Sequence, residues 1–271
     1  VSRILRIKFR MGLFENPYAD NNMADTVGCN AHREIARQAV RESLVLLKND
    51  NILPFQKEED DILVAGSKAN DIGAQCGGWS IWWQGGNGNI TEGTTIYDAV
   101  SQVNGSENTH FTASSSNIPD ADFAIVAVGE NPYAEGAGDL YHSGASGFDL
   151  SQEDKNLIQA IEESGIPYVV VLISGRPLDI REELEISDAF LAAWLPGSEG
   201  GSGIADVLFG DYEPTGKLSH TWPASYSDVP VNLNSYYPGD AALFEYGFGL
   251  NYQSVGVPEI VSKKLATVFP N

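Results

Sequence analysis

The sequence predicts an α/β fold in which a mostly parallel sheet carries helices on both faces, an α/β sandwich. Over residues 31–220, short continuous apolar runs, typical of strands buried on both faces, alternate with segments of helical period. The chain has 271 residues, of which 42% are hydrophobic, so it can bury the core that such a fold requires.

The beginning of the chain differs in charge from the rest. Residues 1–48 contain 8 of the 16 basic residues and 5 of the 37 acidic ones, within a net charge of −21. We interpret this step as a domain boundary. Residues 1–14 predict an amphipathic helix that stops at Gly12, and residues 15–30 predict a polar linker. The overall acidity disfavours nucleic acid and anionic membranes as partners.

The elements of the sandwich follow in order. Five apolar runs are predicted as strands: 43–47, Ile62–Ala65, 122–128, Tyr168–Ser174 and 190–195. Four segments are predicted as helices: 31–42 after the N-cap Asn30, 94–103 with Thr94 or Thr95 at its cap, a helix to about 164 with Ser151 and Asp154 as a capping box, and 204–209. Residues 104–120 are polar and predict a loop.

A glycine-rich run at 196–203 leads into the last of these helices. It lacks the Gly-Lys-Ser/Thr ending of a phosphate-binding loop and the spacing of the dinucleotide fingerprint. We therefore predict a tight turn at the edge of the sheet rather than a phosphate site.

The loop Gly129–Asp139 follows directly on the predicted strand 122–128. The carboxyl ends of strands in an open α/β sheet are where ligands usually bind. Glu130 adjoins the strand, whereas Glu135 lies five residues further on, beside glycines. Both are candidates for acid/base catalysis. The alternative is that they are solvated loop acids or structural hydrogen-bond acceptors.

Three of the five tryptophans lie within five residues, in the glycine-rich stretch Gln75–Gly86. Their i, i+4 spacing places Trp79 and Trp83 on one face. Exposed indoles together with amides such as Gln84 suit the apolar faces and hydroxyl rims of sugars. Tryptophans of a core or an interface remain the alternative.

Other chemistries receive little support. No Gly-x-Ser-x-Gly elbow occurs, and the four histidines are scattered, with His142 alone near the acidic loop. No Cys/His cluster has zinc spacing, so we predict no metal and no cofactor. Cys29 and Cys76 do not make a disulfide framework. Carboxylates combined with tryptophans favour glycoside hydrolysis, in which a retaining enzyme uses two carboxyl groups about 5–5.5 Å apart.

Several segments, in order, resemble family 3 glycoside hydrolases, the β-glucosidase and β-glucan exohydrolase family: RILRIKFRMGLFENP, HREIARQAVRESLVLLKND, CGGWSIWWQG, VAVGENPYAEGAGD, PGSEGGSGIADVLFGDYEPTGKLSHTWP and LFEYGFGLNY. In that family a (β/α)₈ barrel precedes an α/β sandwich domain. The resemblance implies that residues 1–14 end the barrel's last helix, 15–30 link the domains, 31–252 form the sandwich, and 253–271 are a tail or a linker to a further domain.

The resemblance also implies roles for individual residues. Glu135 matches the acid/base residue of the exohydrolase branch, which makes Glu130 a supporting acid. Trp83 matches the tryptophan that stacks on the sugar in the +1 subsite, and Trp79 matches a neighbouring aromatic residue of the same cleft. The nucleophilic aspartate belongs to the barrel. Trp82 departs from the family pattern, in which its position is usually polar or charged.

We therefore expect the second domain of a retaining, exo-acting β-glucosidase or β-glucan exohydrolase, inactive without its barrel. Its expected partners are glucose or β-glucan oligosaccharides and the barrel of the same enzyme. The expected location is secreted or periplasmic. The alternative hypothesis is a non-catalytic carbohydrate-binding or interaction module of the same fold, and a nucleotide-binding α/β domain is a more distant one.

Overall fold

The computed structural model of the chain describes residues 1–58, 60–139, 147–229, 231 and 242–254. The chain falls into two units, Val1–Ile35 and Ala36–Asn271. Most of the predicted C-terminal segment, residues 255–271, lies outside the described residues, as does His142. The domain bounds given above remain predictions.

The first unit contains the predicted amphipathic helix, α1 (Ser2–Arg10), which buries none of its residues. It ends shortly before Gly12, whose φ of +66° lies in the left-handed region that glycine adopts most readily. A 3₁₀ helix, Asn21–Thr26, follows in the predicted linker, and the Asp20 side chain accepts the Asn22 N–H at its start.

A six-stranded sheet forms the centre of the second unit. Its strands in chain order are β1 (Val45–Asn49), β2 (Ile62–Ala65), β3 (Thr109–Thr112), β4 (Phe123–Gly129), β5 (Tyr168–Ile173) and β6 (Ala189–Trp194). The spatial order is β1-β6-β5-β4-β2-β3. All neighbours pair in parallel except the edge strand β1, which runs antiparallel to β6. A separate antiparallel pair joins β7 (Trp222–Pro223) to β8 (Ala242–Phe244).

Alternate residues of the central strands pack into two separate cores. On β5, Val169 and Val171 face one core, whereas Val170 and Leu172 face the other. Helices α2 (Asn30–Ser43), α4 (Ile96–Asn104) and α7 (Gly200–Leu208) cover the first face, and α5 (Gln152–Ser164), α6 (Arg181–Ile186) and the β7–β8 pair cover the second. The predicted α/β sandwich is confirmed.

Local capping explains where two helices begin. The Thr95 hydroxyl accepts the Asp98 N–H at 3.0 Å, and the Ser151 hydroxyl accepts the Asp154 N–H at 3.1 Å. Each bond satisfies a backbone donor that the helix itself leaves unpaired. The caps at Thr95 and Ser151 are confirmed, but the Asp154 half of the predicted capping box is not, because the Asp154 carboxylate accepts the Gly129 N–H and the Ser67 hydroxyl instead.

Several elements were not predicted from the pattern, among them α6 and the β7–β8 pair, whose segments are too short to show a period. The segment predicted as a loop contains β3, an edge strand in which Thr109 alone is buried, so its apolar signal is weak. The short helix α3 (Ile72–Cys76), which begins after the N-cap Asp71, also has too few residues to show a period.

Helix α7 begins at Gly200, four residues earlier than predicted. Its first turn is rich in glycine, which is a poor helix former, and these glycines lie where the helix packs against its neighbours. A Cβ built at Gly201 would lie 2.0 Å from the Thr95 carbonyl oxygen, and one at Gly203 would lie 2.5 Å from Val40 Cγ1. The glycines therefore let α7 approach α4 and α2 closely. Only the residues between β6 and Gly200 form the predicted turn.

This packing predicts that Gly201→Ala destabilises the fold. The added methyl group would collide with rigid backbone, so we expect the free energy of unfolding to fall by about 2 kcal/mol, despite alanine's better helix propensity. Denaturant titration of the variant would measure the loss. Ser202→Ala, on the same helix, should change stability little. Equal stability of both variants would contradict the close approach.

Candidate functional site

The candidate site lies where the strand order reverses. From β2 the chain passes to β3 on one side and then returns to β4 on the other side, from which β5 and β6 continue. Ligands of open α/β sheets bind in the crevice at such a switch point, beyond the carboxyl ends of the strands. Here the crevice is bordered by the segment after β2, which carries the tryptophans, and by the loop after β4, which carries Glu130 and Glu135.

Glu130 is held by three hydrogen bonds and one further ion-pair contact. Its Oε1 accepts from Arg176 Nε at 2.9 Å and lies 2.7 Å from Nη2 of the same guanidinium, and its Oε2 accepts from the Tyr133 hydroxyl at 2.9 Å and the Gly175 N–H at 3.0 Å. The side chain is 12% exposed. Charge-assisted bonds of this kind are strong when partly buried. The carboxylate therefore ties the end of β4 to the turn after β5.

Arg176 and Tyr133 complete this group, which we call the Glu130 clamp. Arg176 also donates to the Gly138 carbonyl, and its guanidinium lies 5.1 Å from the centre of the Tyr133 ring. Burial and then the negative charge of Glu130 raise the pKa of Tyr133, so its hydroxyl remains a donor at physiological pH. The clamp fixes both ends of the loop that carries Glu135.

Glu135 lies at the exposed tip of that loop. It begins a 3₁₀ turn, Glu135–Gly138, with a φ of +37°. Its Oε2 accepts a hydrogen bond from the indole Nε1 of Trp83, which comes from the other border of the crevice. A Cβ built on the neighbouring Gly136 would have no atom within 4 Å, so the tip of the loop is open at that residue.

Trp79 and Trp83 form an exposed pair next to Glu135. Their ring centroids lie 6.5 Å apart at 54°, and the residues are 69% and 56% exposed. The Trp79 N–H donates to the Trp83 carbonyl at 3.0 Å and closes the turn between them. The predicted common face of the two indoles is thus present, and it is not part of a core.

The two borders of the crevice touch through backbone. A Cβ built at Gly78 would lie 1.9 Å from the Tyr133 carbonyl oxygen, so the segments approach as closely as glycine permits. The Gln84 side-chain oxygen accepts the Ala134 N–H at 3.0 Å. Gln84, predicted to bind substrate, therefore also holds the Glu135 loop in place.

A buried lysine provides a second connection between the borders. Lys68, 4% exposed, donates to Asn131 Oδ1 at 2.6 Å, and Asn87 Nδ2 donates to the same oxygen at 3.1 Å. Burial lowers the pKa of Lys68, and the charges of Asp154 and Asp71 oppose that shift. Asp154 lies beneath the loop, where it accepts the Gly129 N–H at 3.4 Å, and burial raises its pKa.

The structure brings all five sequence-predicted site residues to one crevice: Glu130, Glu135, Trp79, Trp83 and Gln84. Sequence reasoning missed Arg176, Tyr133 and Lys68. Arg176 follows the carboxyl end of β5, and that position was a usable signal, because it lies at the same edge of the sheet. Among the described residues, no group of three or more His, Cys, Asp or Glu is placed to hold a metal ion.

Two relatives of this chain are both named as beta-glucosidases. The chain is 34% identical to a lysosomal beta glucosidase of Dictyostelium discoideum over 93% of its length, and 30% identical to a periplasmic beta-glucosidase of Salmonella typhimurium over 95%. It covers 34% and 40% of those proteins. The chain thus spans about a third of the length of the curated relatives it matches.

Among the described helices, none combines the length and apolarity of a membrane span.

Solved structures agree with these relatives. An exo-1,3/1,4-beta-glucanase from a Pseudoalteromonas species superimposes with a TM-score of 0.79 at 39% identity, covering 94% of this chain and 33% of that one. A beta-glucosidase from Listeria innocua gives 0.77 at 27% identity, covering 92% and 38%. The family description "Glycosyl hydrolase family 3 C-terminal domain" matches residues 44–252. The chain therefore belongs to glycosyl hydrolase family 3, and these residues form its C-terminal domain.

Proposed function

We propose that this chain is the second domain of a retaining, exo-acting β-glucosidase or β-glucan exohydrolase, in which Glu135 is the acid/base residue and Trp83 and Trp79 form one wall of the sugar pocket. The observation that carries the proposal is the hydrogen bond from Trp83 Nε1 to Glu135 Oε2. It joins an exposed carboxylate to an exposed aromatic surface across the switch-point crevice.

In the proposed reaction, Glu135 works in both steps. In the first, its protonated carboxyl gives a proton to the glycosidic oxygen while a second carboxylate attacks the anomeric carbon and the aglycone leaves. In the second, the Glu135 carboxylate takes a proton from water as that water displaces the enzyme from the sugar. Trp83 orients the carboxyl group through its N–H and offers its ring to the sugar bound on the leaving-group side.

Glu130 is a poor candidate for the second carboxylate, because both of its oxygens already accept bonds from the clamp. We therefore propose that the nucleophile comes from an N-terminal (β/α)₈ barrel of the same enzyme. The relatives are about three times as long as this chain, which leaves room for such a domain. Glu130 then acts as a positioning residue rather than by touching the reacting atoms.

The substrate class follows from the relatives and from the aromatic wall. The relatives are named as beta-glucosidases, and the Pseudoalteromonas enzyme as an exo-1,3/1,4-beta-glucanase. We propose glucose-releasing cleavage at the non-reducing ends of β-linked glucans, in a secreted or periplasmic enzyme. The proposal includes no cofactor.

A non-catalytic carbohydrate-binding module is the second candidate, since the exposed Trp79–Trp83 pair alone would suit sugar binding. The Glu135 carboxylate beside Trp83 favours catalysis, because aromatic stacking alone needs no proton donor. Both hypotheses predict sugar binding, so only a test of Glu135 separates them.

The first prediction concerns Glu135→Gln in the enzyme that includes the barrel. We expect kcat for β-linked glucosides to fall by about 10²- to 10⁴-fold, because the proton donor is lost. Activated aryl glucosides need less help in the first step, so azide should restore part of their turnover. Glu163→Gln, an exposed acid on α5, is the matched control. Wild-type rates from Glu135→Gln would refute the assignment and favour the binding module.

The second prediction separates the two roles of Trp83. Trp83→Ala should raise KM for gluco-oligosaccharides about tenfold, through loss of the aromatic face, and should affect cleavage of an activated aryl glucoside less. Trp83→Phe keeps a ring but removes the N–H, so KM should largely recover while kcat stays low. Steady-state kinetics on both substrate types measures this. Equal effects on both substrates would count against stacking.

The third prediction concerns the Glu130 clamp. Arg176→Lys removes the fork of donors to Glu130, so the Glu135 loop should lose its fixed position and kcat should fall about tenfold. Arg181→Lys removes a comparable pair with Asp179, whose atoms lie 2.7 and 2.9 Å apart, elsewhere in the domain. We expect similar stability losses in the two variants but reduced kcat in Arg176→Lys alone. Matching activities would contradict the positioning role.

A further inference from the structure

Trp82 is an exposed aromatic residue of the tryptophan segment that the proposed mechanism does not use. It is 51% exposed and lies between the two tryptophans of the wall. Within the described residues, the indoles of Trp79 and Trp83 contact each other, whereas Trp82 packs beside Gly86. The Trp82 ring is therefore not part of the Trp79–Trp83 pair.

Trp82 faces Gly86 through the edge of its ring. A Cβ built at Gly86 would lie 2.5 Å from Cζ2 and 3.3 and 3.4 Å from the neighbouring ring atoms Cη2 and Cε2. An approach over the face would bring all three atoms to similar distances. The contact with Gly86 is therefore edge-on and does not cover the flat face of the indole, and half of the residue is exposed.

The turn that carries Trp82 is fixed before any ligand binds. Its N–H donates to the Ser80 carbonyl at 2.8 Å, and its carbonyl accepts the Gly85 N–H at 3.1 Å. A Cβ built at Gly86 would collide with the indole, and one at Gly85 would lie 2.4 Å from the Gly77 carbonyl oxygen. A rigid aromatic face binds without the entropic cost of ordering it.

Two polar amides follow closely along the chain. Asn87 and Asn89 follow Gly86 along the chain and are both exposed, and Asn87 is hydrogen-bonded to Asn131 of the Glu135 loop. An exposed indole suits the apolar face of a pyranose ring, and exposed amides in the same segment suit its hydroxyl groups.

We propose that Trp82 is a second stacking platform, which binds a glucosyl unit of a β-glucan chain further from the cleavage point than the unit on Trp83. The inference rests on the proposed function, because the position of Glu135 defines the cleavage point. It makes Trp82 a specificity-determining residue for chain length, with β-1,3- and β-1,4-linked gluco-oligosaccharides as its ligand class.

The test compares Trp82→Ala, Trp82→Tyr and Ile81→Ala in the enzyme that includes the barrel. kcat/KM is measured for an aryl β-glucoside and for gluco-oligosaccharides of two to six units in both linkages. In Trp82→Ala, we expect the ratio of kcat/KM for long chains to that for the disaccharide to fall about fivefold. Trp82→Tyr, which keeps a flat ring, should restore the ratio. Ile81→Ala, which removes an exposed apolar side chain from the same turn, should leave it unchanged.

Two results would overturn the proposal. An unchanged ratio in Trp82→Ala means that no glucosyl unit stacks there. An equal loss for every substrate, accompanied by a lower melting temperature, means that Trp82 packs against another part of the enzyme. Isothermal titration of the hexasaccharide into Glu135→Gln, with and without Trp82→Ala, gives the affinity without turnover. An active Glu135→Gln variant would refute the acid/base role, yet the length dependence of binding would still decide the role of Trp82.

Discussion

The ion pair between Arg176 and Glu130 joins the ends of two central strands, and the position of the Glu135 loop depends on it. The loop leaves β4 at Glu130, receives a further bond from Arg176 at the Gly138 carbonyl, and packs its Tyr133 ring under the same guanidinium. One arginine thus holds the beginning and the end of the loop. Burying its positive charge is favourable only because Glu130 is fully hydrogen-bonded beside it.

Backbone strain is concentrated at the same edge of the sheet. Of the six described non-glycine residues with positive φ, four lie there: Trp79, Ile81, Glu135 and Trp194. Conformations of this kind cost about 1 kcal/mol or more each and persist only where surrounding contacts enforce them. The clamp, the buried Lys68 and the backbone contacts of the crevice are such contacts. The free energy gained by burying the two cores therefore offsets the unfavourable backbone conformations at this edge of the sheet.

The sequence allowed the layers of the fold to be predicted better than its connections. Buried strands such as β2 and β5 appear as continuous apolar runs, and Ser151 marks a helix start by local chemistry. The edge strand β3 was not predicted, because its side chains are mostly outside the core and the strand has no continuous apolar run. Glu130 and Arg176 are 46 residues apart, so their pairing follows from the order of the strands and from no local pattern. The start of α7 was missed because glycine, a poor helix former, is required there for packing.

The contact between Gly78 and the Tyr133 carbonyl has a consequence for engineering the crevice. Its width at this point is set by two main chains in contact, with no side chain between them. Replacing the glycine cannot widen the opening gradually, because even a methyl group would force the Glu135 loop away from Trp83. Changes in what the crevice can admit must therefore come from the exposed side chains on its borders. Substitution can vary the side chains that line the crevice, but it cannot vary the distance between the two main chains in small steps.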